Sequence, residues 1–263
     1  MGIARPMSGR IFLANGGANA SHRFASPIFP DRTFEFLPIP ETPDIPPPHA
    51  VRYRDLRSYN RRTEDLTAYI PQRLWDTATH NDPEFETFTY GDNCETTPRG
   101  ASLKRLQQGD FLFFIARMED WVADGPTQRF GFYLVGFLEI SASESVLANV
   151  QAEPSEKLLE KFWNNAHIRR GLADPAHWDR FWAFAGSEKS RRFPYAVPVT
   201  RQLCEEAFRA ANGAQWRWDE HRSDLQVIGS YTRSCRCVID PSTPDGRDRA
   251  DAFWSWVAIH DRP

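Results

Sequence analysis

Apolar residues concentrate in two continuous runs, Phe111 to Ala116 and Phe130 to Ile140, separated by a loop around Asp124-Gly125-Pro126. Short apolar runs bounded by turn residues are the pattern of buried strands, and this spacing predicts a long antiparallel hairpin at the centre of the core. Arg10 to Leu13 reads as an opening strand that runs into Asn15-Gly16-Gly17, a turn where positive φ is easy. Further strand patterns lie at Thr33 to Leu37, Phe181 to Ala185, Ala196 to Val199 and Arg233 to Ile239. Prolines keep the flanks of the first of these extended, and Pro43 to Pro48 reads as a polyproline connection.

Helical spacing is clearest over 155 to 168, where Leu158, Leu159, Phe162, Trp163 and Ala166 share a face. Thr200 is placed to cap a helix carrying Leu203, Ala207, Phe208 and Ala211, which Asn212-Gly213 would close. Weaker helical patterns occupy Thr63 to Ile70 and Pro98 to Gln107, and Ala250 to Ile259 reads as a short aromatic helix or a last strand. Together these elements predict an α+β fold, mixed, with a mainly antiparallel sheet, flanking helices and long loops. One domain over 1–263 is expected, with an elaborated N-terminal segment (1–75), a core (76–200) and a C-terminal extension (201–263).

Composition changes this picture in three places. Nine Trp and nineteen Phe are many for 263 residues, so planar side chains either fill the core or stack on a planar ligand. A formal net charge of −3 excludes a body that coats long nucleic acid by charge alone, so any phosphate contact is local. Four cysteines are too few for a disulfide framework, and with no apolar run of membrane-spanning length a cytoplasmic location is expected, with no membrane partner. Cys235 and Cys237 lack further ligands nearby, so no metal site is assigned, and no cofactor follows from the sequence.

Two constellations carry candidate chemistry. The acid-rich stretch THNDPEFETFTYGD contains His80, Asp82, Glu84, Glu86 and Asp92. Such groups serve as general acid and base, and in an extended chain the first four would share a face. The plainer alternative is loop polarity and capping. The second constellation is basic: His167, Arg169 and Arg170 at the expected end of a helix, and Lys189, Arg191 and Arg192 in the loop Gly186-Ser187-Glu188-Lys189-Ser190-Arg191-Arg192. Small residues beside three cations suit a phosphate, whereas cations at a helix C-terminus also complement its dipole. Dinucleotide-binding, Walker, nucleophile-elbow and zinc-protease motifs do not occur.

Seven segments taken in order, SPIFPD (26–31), LPIPE (37–41), NDPEFETFTYGD (81–92), GDFLFFIARM (109–118), FYLVGFLEI (132–140), NAHIRR (165–170) and FAGSEKSRRF (184–193), resemble the third group of the bacterial nucleotide modification associated domains over residues 10 to 200. The resemblance implies association with bacterial or archaeal systems that install or manage modified bases in DNA, with no defined activity and no catalytic residue carried over. A looser similarity to PUA-like barrels of the EVE and YTH-like kind implies a barrel core that holds a flipped base between aromatic side chains.

Three functions are then open. A binding module would stack a base on Trp121 or Tyr90 and use Asp92, Arg117, Asn165, His167, Arg169, Arg170, Ser187, Lys189, Arg191 and Arg192 around a DNA or RNA base or nucleotide. An enzyme on the same ligand would use His80, Asp82 and Glu84 as its acid and base set, with His167 as partner. A scaffold would instead bind protein partners of a modification system.

Overall fold

A computed structural model of the chain describes residues 9–18, 20–42, 44–146, 154–178 and 180–263. In chain order its strands are β1 (Ile11–Asn15), β2 (Ser26–Ile28), β3 (Ile39–Pro40), β4 (Thr79–His80), β5 (Thr89–Asp92), β6 (Phe111–Val122), β7 (Gly125–Val146), β8 (Phe181–Gly186), β9 (Arg191–Pro198) and β10 (Arg236–Ile239). The helices are α1 (Glu156–Phe162), α2 (Ala166–Ala173), α3 (Arg201–Ala207), α4 (Asp224–Tyr231) and α5 (Gly246–His260).

The two apolar runs form the expected hairpin, with β6 and β7 paired from Phe111↔Glu139 to Val122↔Gly125. Because β7 is much longer than its neighbours, its middle pairs with β9 and its C-terminal part with β8. The main sheet follows the path β10-β1-β6-β7-β8-β5, with β2 added to β6 and β9 to β7. Only β1 and β2 run parallel to β6; the other pairings are antiparallel. The fold is therefore α+β. The PUA-like barrel is not what forms: β10 and β5 end the path without pairing to each other, so the sheet among the described residues stays open.

Most of the aromatic surplus fills the core. Phe113 stacks on Phe137 at 5.0 Å and meets Phe253 edge-on at 4.8 Å, which fastens α5 to the hairpin. Each fully buried ring contributes about 2–3 kcal/mol by removal of apolar surface from water. No helix among the described residues is long and apolar enough to cross a membrane.

Local chemistry explains where the elements depart from expectation. The helix expected over 155 to 168 is two helices, because the Asn165 side chain accepts the His167 backbone N–H and starts a new one. His167 thus lies in the first turn of α2, whereas Arg170 does sit in a last turn, that of this second helix. The strand expected at Thr33 to Leu37 reduces to one bridge between Ile28 and Phe34. There the Glu35 carboxylate turns inward to gather the 58–60 loop. Thr67–Tyr69 and Ala101–Arg105 are tight 3-10 turns, not longer helices. The helix α3 stops at Ala207, and α4, not foreseen, is set by a capping box between Ser223 and Gln226. Pro43, the first residue of the expected polyproline connection, lies outside the described residues.

Candidate functional site

The small sheet β3–β4 begins the site. Ile39 pairs with His80, and the Glu41 N–H donates to the Ala78 carbonyl, so Glu41 is delivered beside His80. Its carboxylate accepts a hydrogen bond from His80 Nδ1 at 2.9 Å. With a carboxylate as its partner Nδ1 is the donor, and Nε2 faces Asp82. Two residues on, the chain turns as the Asp82 N–H bonds to the His80 carbonyl, and Asp82 Oδ2 accepts the Gly91 N–H of β5 at 2.8 Å.

The third member arrives from α2. Asn165, its N-cap, also donates through Nδ2 to Thr89 Oγ1 at 3.4 Å, which docks the first turn of α2 onto β5. Gly91 makes the close approach feasible: a Cβ there would stand 2.4 Å from His167 Cδ2. In consequence His167 Nε2 lies 3.6 Å and His80 Nε2 3.8 Å from the same Asp82 oxygen, and the two rings meet edge-on at 4.8 Å. Arg170 closes the circuit. Its Nη1 donates to Glu41 Oε1 at 3.2 Å and its Nη2 to His167 Nδ1 at 3.0 Å.

Burial sets the electrostatics of this ring. The Asp82 side chain is 1% exposed, that of His167 5% and that of His80 15%, so His80 is the member most open to the cleft. Burial, reinforced by Asp92 and Glu84, pushes the Asp82 carboxyl well above its usual range. Burial, together with His80 and Arg170, pushes His167 well below its usual value and keeps it neutral. Asp82 Oδ1 is buried with no hydrogen-bond partner.

These groups line a cleft of about 640 Å³ together with Arg99, Arg117 and Arg233. That volume lies within the range typical of small-molecule sites, roughly 300–1,000 Å³. Arg99 donates to the Asn15 carbonyl at 2.5 Å, and Arg117 lies 3.7 Å above the Phe130 ring. None of the three arginines forms an ion pair with a described residue.

The other residues singled out from the sequence occupy different places. Glu84 leaves the site: its carboxylate accepts from the Glu86 N–H and from the N–H and hydroxyl of Thr87, which makes it the cap of a tight loop. Tyr90 and Asp92 line the cleft, but the Tyr90 ring is buried against Phe114 and Phe184 while its hydroxyl donates to Asp92. Trp121 packs edge-on against Tyr69 in a separate apolar cluster. The basic segment is neutralised, and its Arg191 and Arg192 open β9 instead of lying in the loop. Ser187 and Lys189 both donate to Glu139, Arg191 pairs with Asp261, and Arg192 pairs with buried Glu35 while lying 4.0 Å over Tyr59. Arg169 is buried, and burial lowers its affinity for its proton against the opposing effect of Glu84.

Sequence reasoning missed Glu41, Gly91, Arg99 and Arg233. Glu41 had a signal, as the last residue of the LPIPE segment; the others carried none beyond residue type.

The family model described as nucleotide modification associated domain 3 matches residues 10–232. No curated protein matches the chain, and no solved structure does.

Proposed function

The chain belongs to the nucleotide modification associated domain 3 family, and from that membership and the geometry of the cleft we propose that it is an enzyme that modifies or processes a nucleotide or a nucleic-acid base. The observation that carries this reading is the convergence of His80, Asp82 and His167, from segments far apart in the chain, on the wall of one cleft. Structural acids are satisfied by several donors, whereas Asp82 has one N–H and an oxygen without a partner. His80 is the general base of this scheme. Glu41 holds its tautomer, Arg170 holds Glu41, and Nε2 is free to take a proton from substrate or water.

Arg99, Arg117 and Arg233 hold the phosphate of the substrate, the role that the neutralised 186–192 loop does not fill. Phosphate binding by guanidinium groups without carboxylate partners needs no ion pair to be broken first. A base reader that stacks on Tyr90 or Trp121 finds no support, since both rings are already packed against protein. A protein partner of the modification system is the alternative, and it would show as a stable complex without nucleotide affinity.

The test is incubation of the protein with nucleoside mono- and triphosphates and with single- and double-stranded oligonucleotides, with and without modified bases, followed by mass analysis of the products. Turnover that is lost in His80→Ala and kept in Lys189→Ala supports the enzyme. Binding without chemical change in every arm contradicts it.

A further inference from the structure

The geometry points to a divalent transition-metal site formed by His80 Nε2, the Asp82 carboxylate and His167 Nε2, open on one side to the cleft. The inference rests on the proposed function and reassigns one role in it: with the ion on Nε2, His80 would be a ligand instead of the base, and the metal would supply the chemistry of the same site.

Four observations support it. The ligand atoms of His80, Asp82 and His167 all lie within 4.8 Å of one another. An ion bound at about 2.0–2.1 Å in tetrahedral geometry needs donor separations of about 3.4 Å; the two histidine nitrogens lie 3.6 and 3.8 Å from Asp82 Oδ2, and the set, which spans up to 4.8 Å, would draw together on binding. Asp82 is a buried carboxylate that receives one backbone N–H and leaves Oδ1 without a partner, a state a nearby cation would relieve. His80 has the outer-sphere contact typical of a metal-bound imidazole: Glu41 accepts from Nδ1, which leaves the Nε2 lone pair for the ion. Finally, the site is not enclosed. The three residues line the cleft, so coordination positions face the space where substrate would lie.

Two histidines and one carboxylate with open positions suit Zn²⁺ or Fe²⁺, and disfavour the all-oxygen cations Mg²⁺ and Ca²⁺. The arrangement around His167 adds a specific expectation. Arg170 can only donate, so with Nη2 at 3.0 Å from Nδ1 the hydrogen of His167 sits on Nε2, towards Asp82. Metal ligation must remove that hydrogen from Nε2. Binding therefore releases a proton, or moves it to Nδ1 while Arg170 withdraws to Glu41. Arg170 thus opposes His167 as a ligand while, through Glu41, it supports His80 as one.

The experiment is titration of chelator-treated full-length protein with Zn²⁺ alone, and under anaerobic conditions with Fe²⁺ alone, followed by calorimetry; Co²⁺ serves as the spectroscopic probe. One ion per chain is expected, with intensified visible Co²⁺ bands from nitrogen and oxygen ligation. Glu41→Gln should weaken binding about 10- to 100-fold. Asp82→Asn, His80→Ala and His167→Ala should abolish it, and Lys189→Ala should leave it unchanged. Absence of binding by the wild-type protein, or a Co²⁺ spectrum at saturation equal to that of the free ion, would overturn the assignment whether or not the variants fold. Undiminished affinity in folded Asp82→Asn and His80→Ala would overturn it as well, and undiminished affinity in folded His167→Ala would remove His167 from the ligand set. Nucleotide affinity of the chelator-treated protein, measured separately, distinguishes failure of the metal site from failure of the cleft as a nucleotide site.

Discussion

Glu35 and Asp82 are both acids buried away from water, yet their surroundings are opposite. Glu35 is fully buried and receives the Ser58 hydroxyl, the N–H groups of Tyr59 and Asn60, and the Arg192 guanidinium at 3.5 Å. Asp82 receives one N–H, faces two imidazoles and leaves an oxygen orphaned. A carboxylate with every lone pair engaged ties loops together, and losing it strands its partners. A carboxylate with capacity unused is destabilising in the resting fold, and it persists where that capacity serves a ligand, a proton or an ion. The same contrast separates the cations. Lys189, Arg191 and Arg192 have carboxylate partners, whereas Arg99, Arg117 and Arg233 face the cleft without one.

Glu35→Ala leaves Arg192 buried beside Tyr59 with no counter-charge and strips three donors of their acceptor. Equilibrium denaturation should register a loss of about 3–5 kcal/mol, and a loss under about 1 kcal/mol would mean that the satisfied network is ornamental. Removing Arg117 and Arg233 together should cost stability only about 1 kcal/mol, the scale of the Arg117–Phe130 contact, and weaken nucleotide binding by about 10- to 100-fold, the scale of one or two charge-assisted hydrogen bonds. Calorimetry at two salt concentrations would also show a shallower salt dependence, and identical curves for variant and wild type would exclude these residues as the phosphate contact. Smallest is Lys189→Ala. Its own side chain is mostly exposed and the largely buried Glu139 keeps the Ser187 hydroxyl as a donor, so stability should move by less than about 1 kcal/mol and nucleotide affinity not at all; a clear drop in affinity would return the 186–192 segment to the site.

The hairpin, β8, the position of Thr200 as a cap and the α+β class were legible because each rests on local apolar runs or cap chemistry that neighbouring residues determine. The division of the 155–168 segment was not, since it depends on Asn165 reaching both the His167 N–H and Thr89. The same limit governs the site. His80 and Asp82 stood out as titratable groups in an acid-rich stretch, and His167 as a possible partner, but an extended reading of that stretch kept Glu84 with them. A turn at Asp82 and the reciprocal backbone pairing of Glu84 with Thr89 separate the two carboxylates. Glu41 joins His80 only through the β3–β4 pairing, and the arginines of the cleft are brought in by strand and loop packing that no spacing rule records. The basic loop was misleading because its neutralising partners, Glu35, Glu139 and Asp261, are all distant in sequence.

The most direct measurement is the unfolding free energy of chelator-treated Asp82→Asn beside the wild-type protein. If Asp82 is retained for function at a cost to the fold, the amide relieves a buried, under-partnered carboxylate, and the variant should be as stable as the parent or more stable by about 1 kcal/mol. A loss of several kcal/mol, comparable with that of Glu35→Ala, would make Asp82 a structural acid and contradict the account.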